Sequence, residues 1–374
     1  VTAGAGNNIV IGDHGEIDFS GTDSDPADID LITTSNGVIG GDDTITSSGG
    51  SDILIGGFGS DDLQAGDGSN VVLGDNGQLV SAVADTPQLN GHPFAAGLIR
   101  TASPILGAAD TIVTGSGDDI VLAGARGDTV DAGAGNNIVF GDHGYLEYAA
   151  SSVNMMGDAD PGTLDEITST NTNLGGDDTI TTGNGVDIVL AGTGSDQVNG
   201  GDGNNYVFGD AGRILAAIGS PQTIGLPLTI GVAETLSPQD GDADELTTGS
   251  GRDAILGGAA GDSIDSGAGD DIVLGDHGQL HYVLDEDTVQ GNPDYPLVAL
   301  DGSTPDPSTL DRVTTTDPTF GGDDTIVAGL GTDWVYGGTA SDIVWGDTKG
   351  LSTSVDDGND LIFGDHGKIF PQLS

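Results

Sequence analysis

Aliphatic residues recur along much of this chain in a fixed measure. From Gly175 to Ile214 the sequence reads GGDDTITTGNGVDIVLAGTGSDQVNGGDGNNYVFGDAGRI, with Ile180, Val189, Val198 and Val207 nine residues apart. Two residues before each stands an acid or its amide: Asp178, Asp187, Asp196 and Asn205. Each unit reads as a six-residue, glycine-rich turn followed by a three-residue strand. Side chains alternate along a strand, so the aliphatic middle residue points inward. Two units make one coil with two short strands back to back. Stacked coils then set Asp178 beside Asp196 and Asp187 beside Asn205, about one strand spacing (~4.8 Å) apart.

The residues flanking each inward side chain differ between alternate strands. First and third strands carry polar or small pairs, such as Thr179/Thr181 and Gln197/Asn199. Second and fourth strands carry Ile188/Leu190 and Tyr206/Phe208, and the other blocks follow suit. Odd strands therefore form a sheet with a wet outer face, and even strands one with an apolar outer face. A strand that is apolar on both sides is buried on both sides. The connecting segments are the expected cover, since they hold runs such as LPLTIGV and YPLVAL. A neighbouring molecule is the alternative, and Trp334, Tyr336 and Trp345 make the fifth block the expected contact patch.

The unit recurs in five blocks with a fragment at the start. Opening acids are Asp43, Asp110, Asp178, Asp244 and Asp324. Each block closes on a GDHG-like turn, and an aliphatic residue keeps the nine-residue register beyond it: Ile17, Leu79, Leu146, Ile214, Leu280, Ile369. The reading assigns 1–17 to the end of a block begun upstream. Roll blocks cover 38–79, 105–146, 173–214, 239–280 and 319–369, the last irregular over 346–359, where Leu351 stands in an acid's slot. Connecting segments 18–37, 80–104, 147–172, 215–238 and 281–318 cover one roll face. Three of them hold a threonine-bearing run (DLITTS, DEITST, DRVTTT) with an aliphatic residue eleven before the next opening acid (Ile32, Ile167, Val313), which predicts one more strand. The cuts at both ends suggest a segment of a longer array.

Composition then narrows the chemistry. The chain has 60 acids against 7 Lys plus Arg, a formal charge of −53, with 67 glycines and no cysteine. Such acidity excludes nucleic acid and anionic membranes as partners. Disulfides and thiolate sites are excluded as well. The uncharged run Ile214–Ala233 is long enough to span a bilayer, but its prolines and polar residues favour a packed surface excursion over membrane insertion. Two carboxylates ~5 Å apart repel by about 3 kcal/mol at an effective dielectric near 20. Closely stacked columns of them need a cation between them. Carboxylate and carbonyl oxygens in a flexible shell suit calcium better than magnesium.

The units GTGSDQVNG and GDGNNYVFG resemble the nonapeptide G-G-x-G-x-D-x-U-x of the repeats-in-toxin (RTX), or hemolysin-type calcium-binding, family. The resemblance covers about 200 residues. It implies an all-β fold: tandem calcium-stapled parallel β-rolls of the solenoid type, with one irregular excursion per block. By motif position it implies calcium ligands at Asp43, Asp52, Asp61, Asp110, Asp119, Asp128, Asp178, Asp187, Asp196, Asp244, Asp253, Asp262, Asp271, Asp324, Asp333, Asp342 and Asp360. Asn8, Asn70, Asn137 and Asn205 put a neutral oxygen in the acid's place and are expected to bind more weakly. The closing turns move their acid to the second turn position: Asp13, Asp75, Asp142, Asp210, Asp276 and Asp365. There it either reaches a calcium or bonds turn amides.

His14, His143, His277 and His366 share one closing-turn position, but whole blocks separate them, so a turn role is expected rather than one shared metal or a catalytic site. No nucleophile is placed with a base and an orienting acid, so no enzyme is expected. Each coil has a thin core, and burial of its inward aliphatics at ~1.5–3 kcal/mol each cannot order so many glycines. Calcium binding is expected to supply much of the folding free energy, at the 10⁻⁴–10⁻³ M typical of extracellular modules. The expected function is a calcium-dependent structural or adhesive segment of a large secreted bacterial surface or matrix protein, able to form fibres through the apolar sheet face, and the RTX resemblance implies export by a type I system. The alternative is the calcium-binding folding module of a secreted enzyme or toxin whose catalytic domain lies elsewhere.

Overall fold

Three-residue strands follow almost every acid of the nine-residue register, and they assemble into two parallel sheets in a computed structural model describing residues 1–21, 25–148, 160–217, 228–282, 310–347 and 358–369. Leu351, the run YPLVAL and part of the run Ile214–Ala233 lie outside these residues. The odd strands, from Thr44–Thr46 to Ile343–Trp345, form a 10-stranded sheet. The even strands, from Ile9–Ile11 to Leu361–Phe363, form an 11-stranded sheet. Register is regular within a coil pair, as in Thr179↔Gln197 and Ile188↔Tyr206. It is equally regular between blocks, as in Thr129↔Thr179 and Ile138↔Ile188. Successive blocks therefore share their sheets and stack as one continuous roll.

The inward aliphatics of both sheets meet in a core of their own, with Ile45, Leu54, Leu63, Val72, Ile112, Val121, Ile180 and Val189 fully buried. On the outer face of the odd-strand sheet, Thr111, Val113, Gln197 and Asn199 are exposed. On the even-strand sheet, the outward Ile53, Ile55, Val71, Leu73, Phe140 and Phe208 are all buried.

The cover is an antiparallel sheet of 11 strands made by the chain itself. Its strands come alternately from the closing turns (Gly77–Ser81, Gly144–Glu147, Gly212–Ala216, Gly278–His281) and the connecting segments (Leu31–Thr34, Ala96–Thr101, Glu166–Ser169, Ile230–Thr235, Arg312–Thr315). One apolar row crosses it in register: Ile32, Leu79, Ile99, Leu146, Ile167, Ile214, Ala233, Leu280, Val313. Every member of that row has no exposed surface. With the outward residues of the even-strand sheet it builds a second core, at ~1.5–3 kcal/mol for each fully buried aliphatic side chain.

Two expectations change here. The nine-residue register carried past the closing turn does not continue the roll, because the GDHG-like turn redirects the chain into the cover sheet, where pairing is antiparallel. The contact patch expected around Tyr336 also fails for that residue. Tyr336 faces the cover, is fully buried, and stacks on Phe363 with ring centroids 5.0 Å apart. No helix among the described residues is long and apolar enough to cross a membrane.

Candidate metal centre

The acids of the nine-residue register line the two turn-bearing edges of the roll as two ladders. The first joins Asp43, Asp61, Asp110, Asp128, Asp178, Asp196, Asp244, Asp262, Asp324 and Asp342. The backbone N–H of each donates to the Oδ1 of the next at 2.7–3.1 Å. The second joins Asn8, Asp52, Asn70, Asp119, Asn137, Asp187, Asn205, Asp253, Asp271, Asp333 and Asp360 in the same way, at 2.7–3.2 Å. Coil stacking thus satisfies one oxygen of each side chain.

The other oxygen is left over. The Oδ2 atoms of Asp61, Asp110, Asp128, Asp178, Asp196, Asp244, Asp262, Asp324 and Asp342 in the first ladder, and of Asp52, Asp119, Asp187, Asp253 and Asp271 in the second, are buried and accept no hydrogen bond among the described residues. A buried, ionised oxygen without a partner is costly and calls for a proton or a cation. Burial pushes Asp110 up to about 8. Burial, and then the Asp178 carboxylate, pushes Asp128 up to about 11. Burial and then Asp244 take Asp262 to about 10. In the second ladder burial raises Asp119 and Asp187 to about 7 and Asp253 to about 6.

Space for a cation exists at the first ladder. A methyl added to Gly56 would lie 2.3 Å from Asp61 Oδ2 and 2.2 Å from the Gly74 carbonyl oxygen. One added to Gly141 would lie 2.2 Å from Asp178 Oδ2 and 2.3 Å from the Ala191 carbonyl oxygen. The same cradle recurs at Gly74, Gly209, Gly257, Gly275 and Gly337, each time a carboxylate Oδ2 and a carbonyl from the next coil aimed at one point. Among the described residues no three His, Asp or Glu side chains gather as a metal cluster. A cation here would therefore be completed by main-chain oxygens, as calcium accepts. The residues present fit that ion.

At the second ladder the corresponding turn position is often a hydroxyl. Thr114 donates to the Ala132 carbonyl at 2.9 Å, Thr182 to Gly200 at 2.9 Å, and Thr248 to Ser266 at 3.0 Å. The sequence reading treated both ladders alike and missed these hydroxyls. Their signal is nonetheless present, because Ser47, Thr114, Thr182, Thr248 and Ser266 each precede an acid by five residues, whereas Ala65, Ala132 and Gly200 precede an Asn.

The closing-turn acids bond turn amides. Asp75 accepts from Ala125 N–H at 2.6 Å and Ala108 N–H at 3.3 Å, and Asp142 from Thr193 at 2.5 Å and Gly176 at 3.2 Å. Asp13 accepts from Phe58 and Gly41, Asp210 from Ala259, and Asp276 from Thr339 and Gly322. Each of these except Asp210, for which only the coil contact is seen, pins the returning connecting segment to the following coil, while Asp365 is exposed. His143 is buried under the preceding connecting segment, its Nε2 2.9 Å from the Pro104 carbonyl, and burial lowers its pKa. His277 is buried as well, and burial lowers its pKa. His14 is exposed and His366 partly buried.

The geometry defines a parallel β-roll whose turns present paired carboxylate and carbonyl oxygens to a hard cation. A family model for the RTX calcium-binding nonapeptide repeat, four copies long, matches residues 40–72, 113–144, 174–198, 181–213, 240–278 and 319–348, so the chain carries these repeats in several copies and is a calcium-binding repeat protein. A comparison with curated proteins gave no match.

Proposed function

We propose that this chain is a calcium-dependent structural or adhesive segment of a large secreted bacterial surface or matrix protein, working outside the cell as a stiff spacer. The observation that carries the proposal is the unbroken run of both roll sheets and the cover sheet through every block. An 11-stranded sheet spans roughly 50 Å at ~4.8 Å per strand. Such regular extension suits a rod better than a folding module attached to one enzyme.

The ions would be held by Asp43, Asp61, Asp110, Asp128, Asp178, Asp196, Asp244, Asp262, Asp324 and Asp342 with the carbonyls of the facing turns, and on the other edge by Asp52, Asp119, Asp187, Asp253, Asp271, Asp333 and Asp360. When bound, calcium supplies the positive charge that lets the carboxylates stay ionised while buried. The face once expected to carry a fibre contact is occupied by the cover sheet, so the proposal places no fibre contact there.

Sedimentation velocity and far-ultraviolet circular dichroism across a calcium titration, with magnesium as control, test this reading. The expected result is a calcium-specific change from a slow, extended chain to a compact monomer rich in β structure. Native β signal in excess chelator at neutral pH, or an equal response to magnesium, would overturn it.

A further inference from the structure

We propose that calcium loads the second ladder in every other gap over the first three blocks: ions sit in the gaps that open at Asp52, Asp119 and Asp187, and none in those that open at Asn8, Asn70, Asn137 and Asn205. This rests on the calcium reading above.

Each ladder member spends its Oδ1 on the backbone N–H of the member before it. Asn70 Oδ1 accepts from Asp52 at 2.9 Å, and Asp119 Oδ1 from Asn70 at 2.7 Å. The second side-chain atom is left for the gap toward the next member. In Asn70 that atom is Nδ2, which meets the Gly66 carbonyl at 3.0 Å, the Gly68 carbonyl at 2.8 Å and Asp119 Oδ1 at 3.0 Å. Asn8 repeats the pattern with the Gly4 and Gly6 carbonyls and Asp52 Oδ1 at 3.0, 2.6 and 2.7 Å. Asn137 faces the Gly133 and Gly135 carbonyls at 3.4 and 3.3 Å, and Asn205 the Gly201 carbonyl at 3.2 Å. An NH₂ group ringed by oxygens occupies these gaps and leaves a cation no place in them.

In Asp52, Asp119 and Asp187 the equivalent atom is an oxygen, Oδ2, buried and without a hydrogen bond. The hydroxyl at the head of the turn does not relieve it. Thr114 gives its one hydrogen to the Ala132 carbonyl at 2.9 Å, and Thr182 to the Gly200 carbonyl at 2.9 Å. Each therefore has only lone pairs to offer a carboxylate. The gap from Asp119 to Asn137 thus gathers a carboxylate oxygen, a hydroxyl oxygen and the carbonyls of Gly115 and Gly117, the counterparts of Gly66 and Gly68. Oxygens of these kinds with no hydrogen among them are a calcium ligand set. Hydroxyls mark the ion-bearing gaps in the sequence: Ser47, Thr114 and Thr182 head the acid turns, whereas Ala65, Ala132 and Gly200 head those of Asn70, Asn137 and Asn205. From Asp253 to Asp360 the ladder runs acid on acid, and every gap is of the ion-bearing kind.

Bound calcium per full-length chain, measured by equilibrium dialysis and elemental analysis at saturating calcium, tests the assignment, with circular dichroism reporting the fold of each variant. Asn70→Asp with Asn137→Asp puts an oxygen where each amide stood and should add about two ions. An unchanged count in the folded variant overturns the proposal. Asp119→Asn with Asp187→Asn makes the reverse change; it is expected to fold, because each new amide can bond as Asn70 does, and to release about two ions. Failure of this variant to fold, or retention of every ion, would sink the proposal. So would loss of about four, since each acid would then serve an ion in both of its gaps. Asp110→Asn with Asp178→Asn, on the first ladder, checks the underlying reading and should lose ions whatever the second ladder does. If that variant keeps every ion, the calcium ligand reading itself has failed.

Discussion

Gly203 has φ +141°, and an added methyl would sit 1.5 Å from the Gly185 carbonyl oxygen of the coil below. Neither defect can relax, since the clashing atom is main chain and the stacking register fixes it. Gly203→Ala should cost at least ~1–3 kcal/mol from backbone strain, with the clash added. Gly41→Ala is the matched control, because an added methyl there meets nothing within 4 Å and φ is ordinary. It should change stability by no more than about 0.5 kcal/mol. Thermal unfolding of both variants in saturating calcium measures the difference. Equal melting temperatures would mean that coil contact is looser than these distances describe. At this scale the sequence reading went far: the spacing of Asp178, Asp187 and Asp196 was visible in the chain and set their stacking partners correctly. What spacing could not tell is which atom faces which. Asn70 reads as a poorer ligand in sequence, and only the positions of Gly66, Gly68 and Asp119 around its amide turn it into a donor.

The cover sheet is the element on which burial of the even strands depends. Leu146 lies at its centre, paired across Ile99 on one side and Ile167 on the other, with no exposed surface. Leu146→Ala should destabilise the chain by ~2–5 kcal/mol, as large-to-small changes in cores do. Val113→Ala, on the outer face of the odd-strand sheet with 37% of its surface exposed, should change little. Denaturant unfolding at saturating calcium reads both, and a silent Leu146→Ala would mean that the cover is not integral to the fold. The two-sided apolarity of Ile53, Leu54 and Ile55 announced that some cover was needed, and the runs around Ile32, Ile167 and Val313 gave part of it. Ala96–Thr101 and Ile230–Thr235 went unread because their segments lack both the nine-residue period and a threonine-bearing run like DLITTS, DEITST and DRVTTT. The closing-turn strands were misplaced for a different reason. Their aliphatic residues keep the nine-residue count, and periodicity alone cannot distinguish a continuing parallel strand from one that leaves for another sheet.

Across the whole molecule the buried carboxyls tie the fold to protons as well as to calcium. Burial raises Asp61 to about 6, Asp110, Asp244 and Asp324 to about 8, Asp178 to about 9 and Asp262 to about 10, from an ordinary 3.8. A carboxyl raised in the folded state holds its proton there more tightly than in the unfolded chain. Its contribution is therefore fully present below about 3.8 and is lost as pH rises toward the folded value. The buried histidines act in the opposite sense. Burial lowers His143 and His277, and burial together with Arg312 takes His281 to about 3, so each loses stability as pH falls below the ordinary 6.5. The acids outnumber them and dominate. In excess chelator the chain should therefore show no melting transition at neutral pH and gain one that strengthens as pH falls toward about 5, because protons neutralise the same oxygens that calcium would. The increment added by saturating calcium should shrink over the same interval, since protonated carboxyls offer it fewer ligands. Differential scanning calorimetry at several pH values, with chelator and with calcium, measures both trends. A chelator curve that stays flat or falls on acidification would show that uncompensated carboxylate charge is not what opposes folding. The roll would then need calcium for its geometry rather than its charge, and a protonated chain could not replace the ion at any pH.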